Sequence, residues 1–313
     1  MLKNTSRILF FGIYDFGSAS LENLASRDFN IIGVVTKPEQ EGGKQAVLAW
    51  ARQNQIPYIA PASPGSNEFI KAVQNLRPDL IVVAGYHKLI PKAVLDIPNL
   101  GTFNLHASLL PAYRGPCPWK WVIINGETHT GLTVHEMTPQ FDKGDILNQR
   151  SLVISDDDTG STLFSKCCVY GAELLGETLE QLKHSPIELH SQNDTIASYF
   201  SYPTEEDACI SWHNDARTIR NLVRGLNPSP GAWTSYQGHR LVIDTVEIMA
   251  GRLSGEPGQI IELDDQKIVV GTLTENLVIR QMHMINDTKT TIVNLQRNFG
   301  ILRGDYFNLL TRE

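Results

Sequence analysis

Residues 79–108, DLIVVAGYHKLIPKAVLDIPNLGTFNLHAS, hold the two runs that decide the fold. DLIVVAGY is apolar without alternation and reaches a glycine, the pattern of a strand buried on both faces. GTFNLHAS is a second strand, but it carries Asn104 and His106 two residues apart, so both side chains leave the same face. Upstream, RILFFGI and NIIGVVTK repeat the strand signal. SASLENLASR, AVLAWARQNQ and FIKAVQNLR have helical spacing, the first starting after Gly17 with Ser18 or Ser20 as its N-cap. Strands alternating with helices of about ten residues imply βαβ units and a doubly wound, mostly parallel α/β sheet. Ligands of such sheets bind at the carboxyl ends of the strands, which is where Asn104 and His106 lie.

The alternation continues through LTVHEM, a further strand, and TPQFDKGDIL, a loop whose path Pro139 and Gly144 restrict. A helix from about Ser161 to Leu182 closes the first half, and Trp119 and Trp121 read as packing residues at the start of another. After Ser185 the chain turns polar and is broken by prolines, as a linker is. DARTIRNLVRGL is a short helix ended by NPSPG. GAWTSYQG, HRLVIDTVEI, GQIIEL, KIVVGT and NLVIRQM then give five short strands between Gly and Asp turns, which suggests a small β-barrel. The expected division is a domain over 1–186, a linker over 187–206 and a barrel over 207–313.

Hydrophobic residues make up 42% and charged residues 19% of 313, the balance of a soluble globular protein with room for two domains. No apolar run is long enough to cross a bilayer, and the N-terminal segment reads as a strand rather than a signal peptide. Cys117, Cys167, Cys168 and Cys209 have neither CxxC spacing nor a histidine at ligand distance. The adjacent pair Cys167 and Cys168 reads as small buried apolar residues in a helix, and the sparse cysteines suit a reducing cytoplasm with no metal site. FGIYDFG lacks the GxGxxG spacing and the acidic residue of a dinucleotide site. His129 and His135 read as surface or supporting residues, since nothing completes a metal shell around them. The net charge of −7 argues against a strongly basic nucleic-acid surface.

Asn104, His106 and Asp142 form a chemically coherent set if they meet. An imidazole held by a carboxylate can accept and return a proton near neutral pH. A carboxamide beside it can donate to an oxygen that becomes negative in acyl transfer, an effect of about 3–4 kcal/mol for one donor. No GxSxG elbow is present, so the acceptor rather than the protein supplies the nucleophile. Arg114, between Tyr113 and Gly115 in a rigid turn, either holds an acceptor phosphate together with Tyr113 or braces the loop.

The whole string NLHASLLPAYRGPCPWKWVIINGETHTGLTVHEMTPQFDKGDIL resembles the signature of folate-dependent formyltransferases, a family acting on methionyl-tRNA, glycinamide ribonucleotide and UDP-4-amino-4-deoxy-arabinose. FSYPTEEDACISWH and VRGLNPSPGAW are similar to the entry of the C-terminal barrel in its two-domain branch. The resemblance implies a Rossmann-like catalytic domain with an OB-like barrel, 10-formyltetrahydrofolate as formyl donor, and Asn104, His106 and Asp142 as catalytic residues. It also implies a pterin lying along Gly85, Tyr86, His87, Lys88, Leu89 and Ile90 on one side. On the other side it would meet Thr138, Pro139, Gln140 and Phe141.

In the methionyl-tRNA branch the loop after the second strand is typically long and rich in Lys, Arg and Gly. Here TKPEQEGGKQAVLAWA is short and balanced by Glu39 and Glu41, and from Ser201 onward eleven Lys and Arg face fourteen Asp and Glu. KWVIINGETHTG is closer to the arabinose branch. The sequence therefore favours a small amine acceptor, such as an amino-sugar nucleotide or an amino-acid-derived amine, over tRNA. Methionyl-tRNA formylation is the alternative acceptor reading, a formate-releasing hydrolase a further enzymatic one, and a non-catalytic folate-binding protein the alternative of another class.

Overall fold

The computed structural model describes residues 1–251, 255–285 and 291–307. It divides into two compact units, neither of them a single stretch of chain. The first contains Met1–Pro118, His129–Val153 and Phe164–Phe200, the second Trp119–Thr128, Ile154–Leu163 and Ser201–Glu313.

The elements run β1 (Ile8–Gly12), α1 (Tyr14–Ser26), β2 (Ile31–Val35), α2 (Ala46–Gln53), β3 (Tyr58–Ile59), α3 (Asn67–Leu76), β4 (Leu80–Ala84), α4 (Lys92–Leu95) and β5 (Thr102–His106). They continue through α5 (Pro118–Ile124), β6 (His129–Glu136), β7 (Ile146–Val153) and α6 (Gly160–His184). The seven strands pair in the order β3-β2-β1-β4-β5-β6-β7. From β3 to β5 all pairs are parallel, and the direction reverses at β6 and again at β7. Every residue of β1 and β4 is buried, as their unbroken apolar runs require.

The structure adds elements outside the sequence reading, β3 and α4 among them, and two departures are instructive. The first helix begins at Tyr14 rather than after Gly17, with Ile13 at the N-cap and no side-chain cap. Ser18 and Ser20 lie inside it and donate their hydroxyls to the carbonyls of Asp15 and Phe16. Gly17 is there for packing: a Cβ would come within 2.8 Å of the Val47 side chain and 3.2 Å of the Ala84 carbonyl oxygen. The second departure is β7, which the sequence reading passes over. Its middle is polar because Asn148 reaches Thr178 and Arg150 pairs with Glu173 and Glu177, so no apolar period marks it.

The second unit contains α7 (Ala216–Leu226), β8 (Ala232–Tyr236), β9 (His239–Ile248), β10 (Ile260–Leu263), β11 (Ile268–Gly271), β12 (Asn276–Met284) and α8 (Ile292–Phe299). All five expected strands are present, antiparallel in the order β10-β11-β12-β9-β8. A pairing that would close them into a barrel is not among those of the described residues. Trp212 is fully buried, stacks on Phe307 with ring centroids 5.6 Å apart, and donates its indole N–H to Thr234 at 3.0 Å. The short helix α8, capped by Thr291, is a further element outside the sequence reading. Among the described residues no helix is long and apolar enough to cross a membrane.

Between β6 and β7 the chain doubles back, and Gly144 passes so close to the Glu136 carbonyl that any Cβ would overlap it. Because the opposing atom is backbone, Gly144→Ala must shift the loop. It is expected to lower unfolding stability by roughly 1–3 kcal/mol, the usual cost of overpacking, read as a lower urea midpoint. An unchanged midpoint would mean the loop relaxes freely.

Candidate active site

The antiparallel register of β5 and β6 sets Asn104 opposite His135. Opposed side chains of such a pair share a face and touch, and Asn104 Nδ2 lies 3.0 Å from His135 Nε2. The other ring nitrogen, Nδ1, is 2.7 Å from the carbonyl oxygen of Glu136. A carbonyl only accepts, so Nδ1 carries the proton and Nε2 accepts from the carboxamide. Both nitrogens of His135 are thereby committed in the neutral form, and Asn104 keeps one N–H to give. Burial pushes the His135 pKa down to about 4; the Asp142 carboxylate opposes the shift, and the neighbouring His106 adds to it.

His106 is bound differently. Its Nε2 donates to the Tyr113 carbonyl at 3.0 Å, while Nδ1 faces Asp142 Oδ1 at 3.6 Å. That separation is too long for a direct hydrogen bond but within ion-pair range. The same oxygen is 3.7 Å from His135 Nε2. The second oxygen, Oδ2, accepts the Gly115 backbone N–H at 2.8 Å. One oxygen of Asp142 therefore anchors the loop to the LLPAYRGP segment and the other faces two imidazoles. Asn104, His106 and Asp142 are brought together, and His135 joins them through a cross-strand register that the sequence alone does not display.

Asp142 itself has φ of +54°, in the left-handed region that few non-glycine residues adopt. Gln192 spans its loop: Nε2 donates to the carbonyl oxygens of Asp142 and Gly144, each at 2.7 Å. Its Oε1 accepts from Arg114 Nε and Nη2 at 3.1 and 2.8 Å. Arg114 Nη1 pairs with Asp194 at 2.7 Å, and Arg114 and Lys143 together hold the Asp194 carboxyl below its usual range. Of the two roles the sequence leaves open for Arg114, its guanidinium here performs the bracing one. Tyr113 stacks on Phe200 with centroids 5.0 Å apart, and its backbone N–H donates to Ser198 Oγ.

The two segments named for the pterin rest on the same core cluster. Tyr86 and Ile90 belong to it on one side, and Met137, which precedes Thr138, on the other. Tyr86 packs edge-on against Phe11, and its buried hydroxyl has no hydrogen-bond partner in the structure. His87 and Lys88 both turn to Glu41, at 3.1 and 2.5 Å. Gly85, Pro139 and Gln140 are exposed, Thr138 is half-buried, and Thr138 Oγ1 donates to the Gln140 carbonyl. Leu89 and Phe141 are 51% and 58% exposed, one apolar side chain on each segment. Open backbone flanked by apolar side chains suits a flat heterocycle. Among the described residues no group of three or more His, Cys, Asp or Glu is placed to hold a metal ion.

Comparison with known proteins adds a family to this geometry. The formyl transferase family matches residues 6–179 and the formyl transferase C-terminal domain residues 203–299, with Gln192 and Asp194 in neither range. The methionyl-tRNA formyltransferase of Caldanaerobacter subterraneus subsp. tengcongensis is 38% identical over 270 residues, covering 84% of this chain and 87% of that protein. In fold, the chain resembles HypX from Aquifex aeolicus, solved with tetrahydrofolic acid, at a TM-score of 0.67 and 18% identity. The match covers 96% of this chain and half of HypX. An N-formyltransferase from Helicobacter canadensis, solved with folinic acid and dTDP-3-aminofucose, gives a TM-score of 0.65 at 18% identity, covering 89% of this chain and 100% of that one. With both domains matched and a curated relative of this identity covered almost end to end, the chain belongs to the formyl transferase family and is a formyltransferase.

Proposed function

We propose that the chain transfers the formyl group of 10-formyltetrahydrofolate to the amino group of methionyl-tRNA. The observation that carries the transfer chemistry is the meeting of Asn104, His106 and the free oxygen of Asp142 at the carboxyl end of β5. As the acceptor nitrogen bonds to the formyl carbon, the formyl oxygen gains negative charge. The remaining N–H of Asn104 is the donor available to meet it, with the His106 ring beside it in the proton path. Asp142 Oδ1 takes the proton that the acceptor nitrogen sheds and hands it on through His106. The bond to the folate nitrogen breaks as that nitrogen is protonated. The donor supplies the activated one-carbon unit; Leu89, Phe141 and the backbone from Gly85 are the groups that would hold its ring.

The name of the curated relative supports tRNA as acceptor over the small amine that the sequence favours. The charge argument against tRNA also weakens once the pairings are known. Glu39 pairs with Arg52, Glu41 with Lys88 and His87, and Lys44 with Asp15. These residues hold the short loop after β2 in place, so counting them says little about what approaches it. A small amine becomes the reading to be displaced by experiment.

His106→Ala and Asp142→Asn are each expected to lower turnover at least about a hundredfold, the scale of a positioned acid–base group, with folate affinity nearly unchanged. Near-normal turnover in both would remove the mechanism. For the acceptor, release of tetrahydrofolate is followed with methionyl-tRNA and with amino-sugar nucleotides over increasing salt. A tRNA held through six or more phosphates loses affinity by orders of magnitude between about 50 and 200 mM salt. Robust, salt-sensitive formylation of methionyl-tRNA is expected; efficient, salt-insensitive formylation of a nucleotide sugar with none of the tRNA would overturn the assignment.

A further inference from the structure

The segment from His190 to Phe200, polar and linker-like in sequence, is built into the first unit as a strap over the catalytic loop. His190 exchanges both backbone hydrogen bonds with Ile146 at the start of β7. Farther along, the Arg114 N–H donates to the Ser198 carbonyl at 2.9 Å and the Phe200 N–H to the Arg114 carbonyl at 2.9 Å. The strap thus lies beside both segments that Asp142 joins.

Gln192 is the strap residue that reaches the loop. Its two N–H groups are both spent on loop carbonyls, one from Asp142 and one from Gly144, and its oxygen on the Arg114 fork. Asp142 sits in a backbone conformation that costs energy for a residue with a Cβ, and such conformations persist only when their surroundings over-determine them. Two hydrogen bonds on the carbonyls flanking the turn, with the Gly115 N–H on the side chain, are the restraints that do so here. Without the pair of amide donors, the carboxylate would keep its tie to Gly115 but lose the fixed backbone that aims Oδ1 at His106.

We propose that Gln192 is a positioning residue for formyl transfer, acting through Asp142: its amide holds the catalytic loop in the left-handed turn that presents the free carboxylate oxygen to His106. The inference rests on Asp142 being the proton-handling group of the reaction proposed above. It also separates donation to the loop from support of Arg114, because glutamate at this position keeps the acceptor for Arg114 and loses both donors.

Gln192→Ala and Gln192→Glu are compared with wild type, alone and combined with Asp142→Asn, in the formyl-transfer assay. Both single variants should lower kcat at least about tenfold and change KM for the folate less than about threefold. In the Asp142→Asn background either should cost less than about twofold, since effects that run through one group do not add. A Gln192→Glu variant with wild-type kcat would overturn the proposal in favour of an Arg114 brace, and so would a full additional loss on top of Asp142→Asn. Hydrogen exchange provides a readout that needs no acceptor. In Gln192→Ala the amides of residues 141–146 should exchange faster while those of Gly115, β1 and β4 do not change. Unchanged exchange there would sink the inference even if methionyl-tRNA proves not to be the acceptor, and faster exchange would sustain the strap while the acceptor is reassigned.

Discussion

One carboxylate faces two imidazoles in this site, and that imbalance governs the rest of it. Asp142 Oδ1 lies 3.6 Å from His106 and 3.7 Å from His135, and both rings are buried. A buried charge needs a partner, and the cost of leaving one unpaired runs to several kcal/mol. A single carboxylate supports a single imidazolium. The hydrogen bonds made by His135 keep it out of that role. His135 spends Nδ1–H on a backbone carbonyl and Nε2 on the Asn104 carboxamide, so a second proton would break the bond to Asn104. His106 spends only Nε2, and its Nδ1 is turned to the carboxylate.

The chain of dependence can be followed backwards from there. Asn104 presents its remaining N–H because His135 fixes the carboxamide, and His135 can do so because β6 runs antiparallel to β5 in a register that opposes the two residues. Asp142 arrives from the loop after β6, whose close return past Glu136 requires Gly144. The loop is then tied from two directions, by the Gly115 amide on its side chain and by Gln192 on its backbone. The geometry of the candidate site is therefore the product of four separate stretches of sequence, around Asn104, Gly115, His135 to Gly144, and Gln192. A fault in any of them is transmitted to the same carboxylate oxygen.

How much of this was legible in the sequence follows from the kind of interaction involved. Strands buried on both faces, such as β1 and β4, betray themselves by unbroken apolar runs, and the five strands of the second unit by their Gly and Asp turns. The Asn104–His106 pair is equally local, because a spacing of two on a strand places both on one face. What escaped reading depends on contacts made far along the chain. β7 is masked by polar residues that pair with α6, and the role of His135 needs the strand register. Gln192 meets Asp142 across fifty positions from a stretch whose composition is that of a linker. The charge argument for a small acceptor has a related weakness: in the sequence Glu39, Glu41 and Lys44 count as a field felt by a ligand, whereas they are paired within the fold.

The neutral Nδ1–H state of His135 is the central claim, and nitrogen NMR of the protein labelled with ¹⁵N-histidine tests it most directly, since the shifts of the two ring nitrogens report tautomer and charge separately. The account predicts that His135 remains the neutral Nδ1–H tautomer as pH is lowered from neutrality until close to its depressed pKa of about 4. A His135 that carries its proton on Nε2, or that becomes the imidazolium well above that pH, would contradict it.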